Sequence, residues 1–421
     1  MSDTAGRAGP KDEAIKGQGA IAGGASATWG LVLDHLVDKH MQDVAAMRVY
    51  PAGGVARISD DVVVVTGKDL YMQVLLNADG NYSNSGYQKR MEQSIGPIFL
   101  GMDWGDEYVK ESTQANTAIG RVTRREAFDI TLKETRAALA NVPAPYGLVD
   151  IQTLFDIVLA KVCSYYFDIP DGVHVKPGGF AVSNLISPGV CPADYTFPSA
   201  YIFHPDPDFL LSFIGKRTGQ ILRESVGKYV ADKRASGQLP AAPITRALFQ
   251  QYTDPKDNDL LARTIVGVMM GALPTINGNL NAVVKTWQRS ATLLALQAQL
   301  KATTQGDDFA KAHEVIEIPM RQAMQMQPTP DFIWRTATKD HTLGTKDPVQ
   351  VKTGDKIYLS IVQATQEVLR AGDKSVCPIF GGDRTQNPHP IHACPGFEMG
   401  FGILLGIVYG VVEFQPKMPG G

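Results

Sequence analysis

Cysteine is scarce in this 421-residue sequence: there are four, Cys163, Cys191, Cys377 and Cys394. They lie far apart, and no CxxC or paired Cys/His spacing supports zinc, so neither a disulfide framework nor a zinc site is read here. Charge of one sign is lacking as well. Forty Lys and Arg stand against 43 Asp and Glu, a net charge of -3, and no Lys/Arg-rich run occurs, so nothing points to nucleic acid. Long apolar runs are also missing. The start, "MSDTAGRAGPKDEAIKGQGAIAGGASA", has no continuous apolar stretch of the secretory kind. The apolar stretch at 400–412 is too short to span a bilayer. These absences predict a cytoplasmic protein with no membrane anchor, a flexible leader over residues 1–27 and one large domain over residues 28–421. No internal repeat or low-complexity linker divides it.

What is present is ordinary globular material, 44% apolar and 20% charged, enough chain to bury a substantial core. Val62–Val65 reads as a strand, followed by a helix capped by Asp69 from about Leu70. Helical spacing runs through 154–166, and 209–235 reads as a long amphipathic helix. Between them, "SNLISPGVCPADYTFPSAYIFHPDPD" is proline-rich and reads as loop. Residues 257–290 read as one buried helix with Pro274 inside it, where a proline costs roughly 3 kcal/mol. "PTPDFIWRTATKDHTLG" and "VKTGDKIYLSIVQ" suggest paired strands. The fold class is therefore mainly α with a small β part, as a single large domain.

One cysteine stands in a distinctive setting. Cys394 lies in "HACPGFEMGFGILLGIVYGVVE", before a helix apolar on nearly every side. Unpaired N–H groups at a helix start stabilise a thiolate. Proline suits the first turn, and Gly396 lets a flat group approach closely. A large buried partner is implied, and haem iron with a cysteine axial ligand is one. Cys191 and Cys377 are also followed by proline, but by no glycine and apolar helix; both read as structural.

His392-Ala393-Cys394-Pro395-Gly396 resembles the HxCxG core of the cysteine loop in the cytochromes P-450. "CPIFGGDRTQNPHP" resembles that family's meander, and "PTPDFIWRTATKDHTLG" the strand after its K helix. "DDVVVVTGKDLYMQVLL" resembles the N-terminal strand and helix, and the segment around Pro274 the long central helix. The five occur in the family's order across nearly the whole chain. The resemblance implies a cytochrome P-450-like domain holding haem b (iron protoporphyrin IX), with Cys394 as the iron ligand. Arg335 and His392 would bind propionates, and guanidinium forks suit carboxylates.

Four departures from the family accompany the match. The ExxR pair of the K helix is missing: Gln322 and Gln325 take its positions, and Glu317 and Arg321 lie nearby but four apart. The loop before Cys394 lacks the FGxG that shields the thiolate; Phe380-Gly381-Gly382 comes nearest. Where the family supplies an aromatic-to-arginine pair for the other propionate, Tyr108 stands in, with Lys110 as the nearby cation. In the central helix the sequence is Met270-Gly271-Ala272-Leu273-Pro274-Thr275. Gly271 and Thr275 keep the glycine and the alcohol, but Leu273 or Pro274 replaces the acid. Cleaving bound dioxygen needs delivered protons, for which water, Asn277 or Asn279 would have to substitute.

The resemblance implies a haem-thiolate monooxygenase or peroxygenase acting on a hydrophobic small molecule, with Gly271, Pro274 and Thr275 on the distal side. Dioxygen chemistry would need a separate ferredoxin or reductase as electron donor. Two alternatives remain: a reductase-independent hydroperoxide isomerase or dehydratase, and a non-catalytic haem-binding sensor. Specificity is expected in segments 95–102 and 183–203.

Overall fold

The computed structural model describes residues 54–140, 150–175, 181–183, 190–372, 380–381 and 392–414. The expected leader, Cys377 and most of the meander lie outside them. The four valines Val62–Val65 are all buried and form strand β2, beside β1 (Val55–Ser59). A short β3 (Tyr82–Ser83), and β4 (Val173–Val175) with β5 (Ala181–Ser183), follow in the chain. After them come β6 (Phe332–Ala337), β7 (His341–Leu343), β8 (Val349–Val351) and β9 (Lys356–Ser360). The main sheet runs β1-β2-β9-β6-β3. Within it β2 is parallel to β9 and the other pairs are antiparallel. Arg335 therefore sits in β6, opposite Ile357.

Helices account for most of the rest. The first four are α1 (Lys68–Leu76), α2 (Ser85–Gln93), α3 (Asp106–Ile119) and α4 (Arg124–Ala140). Asp69 lies inside the first turn of α1, with Gly67 at the cap, so the capping role read for it is corrected. Next come α5 (Ile151–Phe167), α6 (Pro192–Phe203), α7 (Phe209–Ala235) and α8 (Pro243–Gln251). Helix α6 overturns the loop reading for residues 192–203 of the proline-rich stretch. Pro192 occupies its first turn, where a missing N–H costs nothing. Pro198 removes only the bond to the Asp194 carbonyl, while Tyr195, Phe197, Tyr201 and Ile202 are buried along the helix.

The 32-residue α9 (Asn258–Arg289) contains Pro274, as its pattern predicts. It packs against α5, α6, α7 and the helices that follow. By length and composition the stretch Pro255–Arg289 could cross a bilayer, but most of its apolar window is buried inside the protein. Then follow α10 (Thr292–Ala302), α11 (Asp308–Lys311), a π-helical turn Ala312–Ile316, α12 (Glu317–Met326), α13 (Ile361–Arg370) and α14 (Phe397–Glu413). On one face of α14, Cβ atoms at Gly402, Gly406 or Gly410 would collide with α4; at Gly406 one would lie 2.8 Å from the Phe128 carbonyl oxygen. Glycine thus lets α4 and α14 approach backbone to backbone, which fixes the helix behind Cys394.

Candidate functional site

Cys394 is partly buried and precedes α14, whose cap is Gly396. Its N–H donates to the Phe380 carbonyl at 3.0 Å, which ties the cysteine to the described end of the preceding loop. The Phe380 ring packs on Phe397 at 4.9 Å. A Cβ on Gly396 would meet only the Cys394 Sγ, at 4.0 Å. One turn on, Gly400 is buried, yet a Cβ there would meet no atom of the described residues within 4 Å. The two glycines share one helical face. That face borders open space beside the sulfur, while the face bearing Gly406 is packed tight.

Three residues predicted from sequence converge next to this loop. Arg335 is only 7% exposed, so it is not the solvated strand residue that chemistry alone would suggest. It donates to the Trp334 carbonyl at 2.8 Å and lies over the Tyr87 ring. Among the described residues no carboxylate forms an ion pair with it, leaving a buried cation that calls for an anion. Tyr108 is buried in α3, and its hydroxyl oxygen accepts the His392 N–H at 2.9 Å. Its ring lies 4.6 Å from that of His392. Burial pushes the Tyr108 hydroxyl pKa up, partly offset by that N–H and by the Arg335 charge. Lys110, the alternative cation, points to solvent.

His392 adopts a left-handed backbone conformation, φ 56. The Asn84 amide lies 2.9 Å from its Nε2. Burial, reinforced by the Arg335 charge, pulls the imidazole pKa down to about 3. A neutral ring that accepts from Asn84 at Nε2 carries its proton on Nδ1, which is then available to an acceptor. Asn84 was missed in the sequence: it stands 308 positions from His392, in a loop with no pattern to single it out.

On the other side runs α9. A Cβ on Gly271 would meet only Leu100 Cδ1, at 3.8 Å. The segment 95–102 lies across this helix, since a Cβ at Gly267 would run into Ile98. Two polar anchors hold the segment: Glu111 of α3 accepts the Phe99 N–H at 3.1 Å, and Arg263 of α9 donates to the Pro97 carbonyl. Burial raises the Glu111 pKa to about 7. The Thr275 hydroxyl donates to the Gly271 carbonyl at 2.6 Å, so its proton is engaged within the helix. Leu273 is buried and Pro274 partly buried; neither carries an acid.

The two asparagines considered as substitutes are engaged elsewhere. Asn279 donates to the Thr275 and Thr329 carbonyls, both at 2.8 Å, clamping α9 to the segment that leads into β6. The Asn277 side-chain oxygen accepts from Gln152 of α5 at 3.3 Å. Gln152 also donates to Asp156, whose pKa burial lifts to about 7.

An ionic cluster stands at the start of α12, close to Gln322 and Gln325 in the chain. Glu317, only 7% exposed, pairs with Arg321, with His313 and, at 3.7 Å, with Arg124 of α4. Arg124 also grips Glu398, in the first turn of α14, through two bonds of 2.9 and 3.0 Å. Gln325 is fully buried, and its carbonyl accepts from Thr365 of α13. The spacing of Glu317 and Arg321 was visible in the sequence; their link to Arg124 and Glu398 was not.

The residues present suit haem. Among the described residues, a thiol lies beside a bare helical face, and a buried guanidinium with no carboxylate partner and an imidazole N–H lie close by. Comparison with known proteins agrees at the level of fold. A mutant of cytochrome P-450 EryK in complex with erythromycin B superposes with a TM-score of 0.59 at 14% identity, over 91% of this chain and 88% of that one. The ligand-free P-450 monooxygenase TamI gives 0.59 at 16%, over 88% and 83%. CxnD, a cytochrome P-450 for C–S bond formation in chuangxinmycin biosynthesis, gives 0.61 at 15%, over 85% and 82%. By sequence, no protein-family model and no curated protein matches. The chain has the cytochrome P-450 fold.

Proposed function

We propose that this chain is a haem-thiolate oxidoreductase of the cytochrome P-450 type, a monooxygenase or peroxygenase acting on a hydrophobic small molecule. The observation that carries this is the Gly396–Gly400 face beside the Cys394 sulfur, bare among the described residues, with the buried Arg335 cation nearby, which no described carboxylate pairs. Bound there, haem b supplies oxygen activation and transfer to the substrate. Cys394 holds the iron, and its loop is anchored by the N–H bond to Phe380. Arg335 and the Nδ1–H of His392 hold the propionates, with Tyr108 and Asn84 fixing how His392 is presented. Gly271 leaves room on the distal side, and Leu100 and its neighbours exclude water above it. The apolar character of that wall is what supports a hydrophobic substrate. The active chain is proposed to be cytoplasmic, with the haem domain over residues 28–421 and a separate ferredoxin or reductase as electron donor.

A second reading, reductase-independent conversion of a hydroperoxide, is favoured by one specific feature. Thr275 and Asn279 commit their donors to backbone carbonyls, and no acid stands on this stretch of α9, so proton delivery has no dedicated carrier there. Turnover assays separate the two. With a ferredoxin pair and NADPH under labelled dioxygen, monooxygenation incorporates one labelled oxygen into an apolar probe, and omitting electrons abolishes it. Turnover of an alkyl hydroperoxide without electrons, together with no label from dioxygen, would favour the second reading.

A further inference from the structure

An ionic cluster surrounds the start of α14. Arg124 is 17% exposed at its side chain and is shared between two carboxylates. Glu398 accepts two of its N–H groups, and Glu317, itself paired with Arg321, lies on its other side. The guanidinium also covers the Phe397 ring at 5.4 Å from its centroid. Phe397 packs on Phe380, and the Phe380 carbonyl takes the Cys394 N–H. A half-buried positive charge thus stands two aromatic rings from the sulfur, with a carboxylate on either side. Charges in such a setting are screened far less than surface charges, and charge near a thiolate-bound iron tunes its potential.

We infer that Arg124, held by Glu398 and Glu317, is a positioning residue that fixes the Cys394 loop and sets the electrostatic potential at its sulfur. The inference rests on the haem-thiolate reading above. Arg124 acts through Phe397 and Phe380. Its cation favours the reduced iron, and the Glu398 anion favours the oxidised iron. Removing either charge alone must therefore move the midpoint potential in opposite directions.

The test uses full-length, haem-loaded protein in spectroelectrochemical titrations at low ionic strength. Arg124→Gln lowers the midpoint potential, Glu398→Gln raises it, and Arg124→Lys stays near wild type because the charge is kept. A role in folding alone would not give shifts of opposite sign. If Arg124→Gln does not fold, Glu398→Gln still decides the matter, because that carboxylate is half exposed and its loss is tolerable. Potentials that stay put, or that move the same way in both glutamine variants, overturn the inference while the haem reading stands. A wild-type protein that binds no haem overturns both.

Discussion

Gly400 and Gly406 lie six residues apart in one helix, and substituting each with alanine should give opposite results. A Cβ at Gly400 meets no atom of the described residues within 4 Å. Alanine there gains helix propensity of about 0.5–1 kcal/mol at no steric cost. At Gly406 the added carbon would stand 2.8 Å from the Phe128 carbonyl oxygen and 3.0 Å from the Thr131 Cβ. Helices α4 and α14 must then separate, with an overpacking cost of about 1–3 kcal/mol. In haem-free protein unfolded with urea, the two variants should differ by roughly 2 kcal/mol, Gly400→Ala being the more stable. A leucine at Gly400 then tests what the space is for. Gly400→Leu should fold, yet bind much less haem in a Soret titration. If the two alanine variants lose stability equally, or if Gly400→Leu binds haem like wild type, the bare face is not a haem cradle.

Other variants test the surrounding groups. Arg335→Ala should weaken haem retention by about 10- to 100-fold, the worth of a charge-assisted hydrogen bond. Transfer of haem to apomyoglobin measures this, with Arg335→Lys intermediate; an unchanged transfer rate would remove Arg335 from the site. Glu111 links pH to stability. Its pKa of about 7 in the folded state exceeds the unfolded value of about 4.3, so between those values the folded protein holds the extra proton. Stability should therefore fall as pH rises through this window, by up to about 1.4 kcal/mol per pH unit, and level off above it. Glu111→Gln still accepts the Phe99 N–H and should abolish that part of the slope. Urea midpoints taken across the window at several pH values check it.

How much of this was legible in the sequence depends on how far apart the cooperating residues stand. Val62–Val65 and the helix through Pro274 announce themselves because their patterns are local and regular. Helix α6 did not, because proline was read as a breaker although Pro192 sits at a helix start and Pro198 removes a single bond. In the candidate site, Cys394, Gly396, Arg335 and Gly271 were singled out through spacing and resemblance. Asn84 and Glu398 were not, since a polar loop residue and a helix-start acid acquire meaning only when His392 and Arg124 fold against them. The five glycines at 396, 400, 402, 406 and 410 are plain in the sequence. Which of them face α4 and which face open space is settled by tertiary packing alone.

The measurement that bears most directly on the whole account is the reduced carbon monoxide difference spectrum of the purified protein beside its Cys394→Ala variant. Sulfur ligation predicts a thiolate-type band in the wild type and none in the variant. Identical spectra from the two, or a wild type that stays colourless after growth with a porphyrin precursor, would contradict it.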